Sequence, residues 1–71
     1  KGVEGIKIAC FIYEKGEKEV KASFRGEDGF DVCKLAQQFG GGGHVKAAGC
    51  TIYSSINQAW QEIQQKLAEL F

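Results

Sequence analysis

Four consecutive glycines, Gly40 to Gly43, lead directly into His44, the only histidine of the chain, and Val45-Lys46-Ala47-Ala48-Gly49 follows. A turn made of glycine presents bare backbone N–H groups, and several of them together form a concave nest for an anion. His44 adds a ring donor beside that nest, and Lys46 adds a point charge. A phosphate placed there favours the imidazolium, because an opposite charge nearby stabilises the charged form. The chemistry on offer is phosphate binding by Gly41, Gly42, Gly43 and His44. The competing reading is a structural turn or a loose tether, and composition alone does not choose between them. Each glycine is unfavourable by about 0.5–1 kcal/mol relative to alanine in a regular element. Small residues on both sides of the segment let something approach the backbone closely. A Walker phosphate loop is excluded, because its Gly-Lys-Ser/Thr ending is missing.

Arg25 is the second candidate. A guanidinium at a strand end, next to a glycine, grips a phosphate with two parallel hydrogen bonds or stacks on a base. Ser23 and Lys21 share its face by alternation and are placed to assist. The alternative is an arginine that simply faces solvent. Other chemistry finds little support. His44 and the three cysteines, Cys10, Cys33 and Cys50, lack zinc-ligand spacing. A Cys50–His44 nucleophile pair has no orienting third group. Asp28 and Asp31 are too few for a metal cluster. No catalytic constellation and no metal site are expected. The odd cysteine count at irregular spacing makes a poor disulfide framework, and buried thiols in a reducing cytoplasm are expected instead.

The elements that must position these groups follow from periodicity. Val3 to Tyr13 reads as a strand with Ile6, Ile8, Cys10 and Ile12 on one face. Its other face is also fairly apolar, which predicts a central strand. A polar turn over Glu14 to Glu17 leads into a second strand, Glu19 to Arg25, with Val20, Ala22 and Phe24 inward; the two make a hairpin. Gly26 to Gly29 breaks the pattern. Asp31 reads as the N-cap of a helix running to Phe39, with Val32, Leu35, Ala36 and Phe39 as its apolar stripe. Gly40 is the expected helix stop. Ala48 to Tyr53 is a short apolar run that reads as a third strand, though periodicity alone does not separate it from a helix. Ser55 with Gln58 fits a capping box, opening a last helix whose stripe is Ile56, Ala59, Trp60, Ile63, Leu67 and Leu70, with Trp60 expected in the core. The fold class is α/β: a two-layer domain, a small three-stranded sheet with two helices, in the order β-β-α-β-α.

The chain has 71 residues, nine basic and nine acidic, so its net charge is zero and any anion site must be a local arrangement. One domain spanning residues 1–71 is expected. The chain begins at Lys1 and has no methionine, so the expectation is a piece of a larger two-domain protein. No apolar run approaches the roughly 20 residues that span a bilayer, and no signal-peptide pattern is visible.

The stretch Phe39 to Cys50, FGGGGHVKAAGC, resembles the signature of the DHH-associated domain, type one, the C-terminal domain of DHH-family phosphoesterases. The hairpin ending in Ser-Phe-Arg and the Phe-Asp-Val-Cys-Lys-Leu-Ala run agree with it, and the resemblance is closest to the nanoRNase and pAp-phosphatase branch. It implies that an N-terminal DHH domain carries the manganese-binding residues and performs hydrolysis, while this domain captures the substrate. By motif position the capturing groups are Gly41, Gly42, Gly43 and His44 of the loop and Arg25 of the strand. Relatives often carry serine after that arginine, where this chain has Gly26. The implied ligands are short RNA, pAp or cyclic dinucleotide products. The family's metal residues have no counterparts here, so no cofactor is expected in this chain and manganese is expected in the DHH domain. A homodimer of the full-length chain and a cytoplasmic location are further expectations. Two other readings stand beside it. One is a tRNA-binding accessory domain of the alanyl-tRNA-synthetase type, and the other is an exopolyphosphatase-related domain.

Overall fold

A computed structural model describes residues 8–27 and 30–70. The elements are β1 (Ile8–Gly16), β2 (Glu19–Gly26), α1 (Val32–Gln37), β3 (Gly42–His44), β4 (Ala47–Ile52) and α2 (Ile56–Leu70). The sheet is antiparallel with strand order β1-β2-β4-β3. The α/β class is as expected, but the sheet has four strands among the described residues and not three. The additional strand is β3, inside the segment expected to be a loop.

The core forms between one face of the sheet and the two helices. Val20, Ala22 and Phe24 of β2 meet Cys50 and Ile52 of β4, Val32, Leu35 and Ala36 of α1, and Ala59 and Ile63 of α2. Each of these falls on the inward side of its own period, two in the strands and 3.6 in the helices. Asp31 caps α1 as expected, its Oδ1 accepting from the Lys34 N–H at 3.1 Å. The helix ends two residues before the expected Phe39. The Gly40 N–H donates to Gln37 O at 3.1 Å and the Gly41 N–H to Ala36 O at 2.9 Å. This pair of bonds closes a Schellman-type end, with Gly40 at φ +80°. Ser55 Oγ accepts from the Gln58 N–H at 3.2 Å, opening α2.

Three expectations are corrected. β1 lies at the end of the four described strands and is not central. β2 takes the middle because the hairpin places β1 on one side of it and β4 docks on the other. The outer face of β1 is accordingly open, with Phe11 and Tyr13 exposed. Trp60 is 40 % exposed and is not core; it borders a surface hollow with Cys10, Phe11 and Ile12 of β1. Of the three thiols only Cys50 is buried, while Cys10 and Cys33 are half-buried. The first strand's expected start, Val3 to Lys7 with Ile6, lies outside the described residues, as do Asp28, Gly29 and Phe71. No helix among the described residues is long and apolar enough to cross a membrane.

Candidate nucleotide-binding face

With both helices on one side, the other face of the sheet is left open. Strand register fixes which side chains share it, because cross-strand partners point to the same face. One row runs Ala9, Arg25, Ala47, His44 across β1, β2, β4 and β3. The next runs Phe11, Ser23, Gly49, Gly42, and the third runs Tyr13, Lys21, Thr51. Arg25 and His44, far apart in the chain, thus stand in one row with only the methyl of Ala47 between them. Two inter-strand steps separate their backbones, about 10 Å. Both side chains are exposed.

The local structure holds that row in place. A two-residue turn, Val45-Lys46, joins β3 to β4 directly after His44. Its carbonyls accept from both neighbours: Lys46 O from the Gly26 N–H at 3.0 Å and Val45 O from the Val32 N–H at 2.9 Å. The hairpin tip beside His44 is therefore bonded to the residue that follows Arg25 and to the first turn of α1. Gly26 has its own reason for lacking a side chain. A Cβ there would lie 2.8 Å from Val32 Cγ1 and 3.0 Å from Phe30 O, so a side chain does not fit this packing without a shift.

The glycine run resolves into three different duties. Gly40 supplies the left-handed turn. A Cβ at Gly41 would lie 2.2 Å from Gly49 O and 2.7 Å from Cys50 Cβ. Gly43, at φ +146°, would bring a Cβ within 2.7 Å of Ala47 O and Ala48 Cα. Both are glycine because the chain runs too close to β4 there for anything larger. Gly42 is different, since a Cβ there meets nothing within 4 Å. It sits on the open face directly opposite Gly49. The amides of Gly40 and Gly41 are engaged at the end of α1. The expected concave nest of free loop amides is therefore replaced by a short strand, Gly42–His44, at the sheet edge. Cys33 Sγ donates to Gly43 O at 3.4 Å, a further bond from α1 to β3.

Beside Gly41 the open face deepens into a hollow of about 670 Å³. Its lining includes Tyr13, Tyr53 and Phe39 with the small residues Ser23, Gly49 and Thr51. Lys21 also lines it, its Nζ donating to Thr51 Oγ1 at 2.9 Å. Arg25 and His44 are not among the lining residues; they stand in the next row but one. Sequence reading reached Arg25, His44 and the glycines by residue type. It missed Tyr13 and Tyr53, which the shared parity of Tyr13, Lys21 and Thr51 reveals only when the register is known. Among the described residues no three His, Cys, Asp or Glu side chains gather as a group that could hold a metal.

Comparison with known proteins gives a consistent result. A family model described as the DHHA1 domain matches residues 1–71. The bifunctional oligoribonuclease and PAP phosphatase NrnA of Thermus thermophilus is 37 % identical over 68 residues, covering 94 % of this chain and 21 % of that protein. The protein of the same name from Mycoplasma pneumoniae is 32 % identical over 68 residues, covering 93 % of this chain and 21 % of its own length. The chain thus spans about a fifth of the length of these relatives.

Proposed function

The chain belongs to the DHHA1 domain family, and from that premise we propose that it is the substrate-capturing domain of a DHH-family phosphoesterase. Its open sheet face holds short RNA or a nucleotide phosphate such as pAp. A separate N-terminal DHH domain, carrying manganese, cleaves the phosphoester. No step of the cleavage belongs to the residues described here, which bind and orient.

The observation that carries this reading is the row Arg25, Ala47, His44. An anion above Ala47 meets a guanidinium from one side and an imidazole from the other, and no side chain larger than a methyl stands in its way. Arg25 offers a planar fork of donors suited to two phosphate oxygens at once. His44 adds a single N–H donor, and a second positive charge when protonated. Gly42, whose missing side chain the fold does not require, leaves the neighbouring row clear for the sugar. Both relatives are named for oligoribonuclease and PAP phosphatase activity. That favours nucleotide ligands over the polyphosphate and tRNA readings. A cytoplasmic location and a homodimer of the full-length protein belong to the same proposal.

The test uses the intact protein. A hydrogen bond to a charged group is worth about 1.5–3 kcal/mol, so Arg25→Ala and His44→Ala should each lower kcat/KM on short RNA roughly tenfold or more. Both residues are exposed and outside the core, so the melting temperature should hold. Unchanged kcat/KM in both variants would sink the reading.

A further inference from the structure

We propose that the open face carries a second subsite, for a nucleobase, between Tyr13 and Tyr53, so that the domain takes a single-stranded oligonucleotide lengthwise. This rests on the reading of Arg25 and His44 as the phosphate end of the same face.

Tyr13 is 58 % exposed and Tyr53 is 76 % exposed. Single exposed aromatics are ordinary, but these two come from different elements and border one hollow. Tyr13 is on β1, and Tyr53 directly follows the last residue of β4. Ser23, Gly49 and Thr51, all small, line the hollow with them, and Phe39 lines it too. A planar aromatic guest is what such walls accept. Every base has a π-face, so stacking on tyrosine tolerates sequence differences. Lys21, the cross-strand partner of Tyr13 and anchored to Thr51 by its 2.9 Å hydrogen bond, adds a cation to the lining for the phosphate that flanks a bound base.

Distance then selects the ligand. The Tyr13 row and the Arg25 row are four residues apart along β2, about 13 Å at 3.3 Å per residue. One nucleotide does not span that length between its own phosphate and its own base, whereas a strand of two or more does. The row between them is nearly bare, with Gly42 opposite Gly49 and Ser23 beside it. The charge along the path is of one sign. Lys21, Arg25 and His44 project from these three rows, and no carboxylate does. Glu19 lies beyond the Tyr13 row at the start of β2 and Glu27 directly follows its last residue, both outside the three rows. Aromatic platforms combined with a cationic track are the recurring means of holding single-stranded nucleic acid.

The experiment measures binding to the intact protein of three probes: inorganic phosphate, pAp and an RNA of about four nucleotides. Tyr13→Ala and Tyr53→Ala should each weaken the RNA by roughly 5- to 150-fold, the range for removing one stacked base. They should leave phosphate and pAp unchanged. Tyr13→Phe and Tyr53→Phe should bind RNA like the parent, because the ring and not the hydroxyl does the stacking. An equal loss for pAp and RNA, or no loss for RNA, overturns the subsite. Arg25→Ala separates the two readings. If it weakens all three probes while the tyrosine variants weaken none, only the base subsite falls. If neither it nor His44→Ala weakens any probe, the phosphate reading falls and takes this one with it.

Discussion

Gly41 and Gly42 are chain neighbours that face opposite constraints. A methyl at Gly41 would collide with the Gly49 carbonyl oxygen, a backbone atom that cannot swing aside. Gly41→Ala is therefore expected to destabilise by about 1–3 kcal/mol, as overpacking does, which lowers Tm by about 4–8 °C for each kcal/mol in a domain of this size. A methyl at Gly42 meets nothing, so Gly42→Ala should leave Tm within a degree or two of the parent while weakening RNA binding. Thermal melts and binding on the same two variants check this. An early-melting Gly42→Ala would show that this glycine serves the fold and not a guest. Cys50 supplies a prediction in pH. Burial pushes its thiol up from the ordinary 9.0 to about 11, with Cys10 adding to the rise and Lys21 opposing it. The unfolded chain releases this proton first. Between those two values the folded state alone still holds it, so stability falls as pH rises through the window. Denaturant melts at pH 8 and pH 10.5 should show a smaller alkaline loss in Cys50→Ala than in the parent; equal losses would mean the thiol is not shielded.

The short helix α1 is the element on which the face depends. Six residues do not make a stable helix alone, and it persists because Val32, Leu35 and Ala36 are fully buried and Asp31 caps it. In return it closes onto Gly40 and Gly41, bonds Gly43 O through Cys33 and holds the turn after His44 through Val32. Asp31→Ala should cost about 0.5–2 kcal/mol. Its amide exchange should accelerate across β3 and the following turn as well as in α1, with β1 unaffected. Acceleration confined to residues 31–34 would mean that the hairpin stands without its helix. The same contacts explain what the sequence made legible. β2, α1 and α2 each carry apolar side chains at a clear period, so their existence is readable, whereas β4 is a short apolar run whose period alone does not separate strand from helix. β3 is not readable, since Gly42 and Gly43 have no side chains to alternate and glycine is rare in strands. The end position of β1 and the exposure of Trp60 follow from strand order, which periodicity does not encode. For the site, Arg25 and His44 were readable as residue types. That they share a row depends on two registers, β2 with β4 and β4 with β3, and no local pattern states either.

At the scale of the whole molecule, nine basic and nine acidic residues cancel, yet the open face is locally cationic. The three rows of the open face hold Lys21, Arg25 and His44 without a carboxylate, so the balancing acids lie elsewhere, Asp31 at the helix cap and Glu62 and Glu69 on α2 among them. A neutral chain can thus bind a polyanion through one face, and the strength of that binding should depend on salt. Each phosphate neutralised on a single strand contributes about −0.7 to the slope of log K against log salt. If Arg25 meets one phosphate, Arg25→Gln should reduce the magnitude of the slope for RNA by about 0.7. Tyr53→Ala should lower affinity at every salt concentration and leave the slope alone, because stacking releases no counterions. The two variants therefore separate charge from stacking on one face, even if their affinities at a single salt concentration are the same. An unchanged slope in Arg25→Gln would mean that the guanidinium does not meet a phosphate. Its place in the row with His44 would then be a consequence of the sheet register alone.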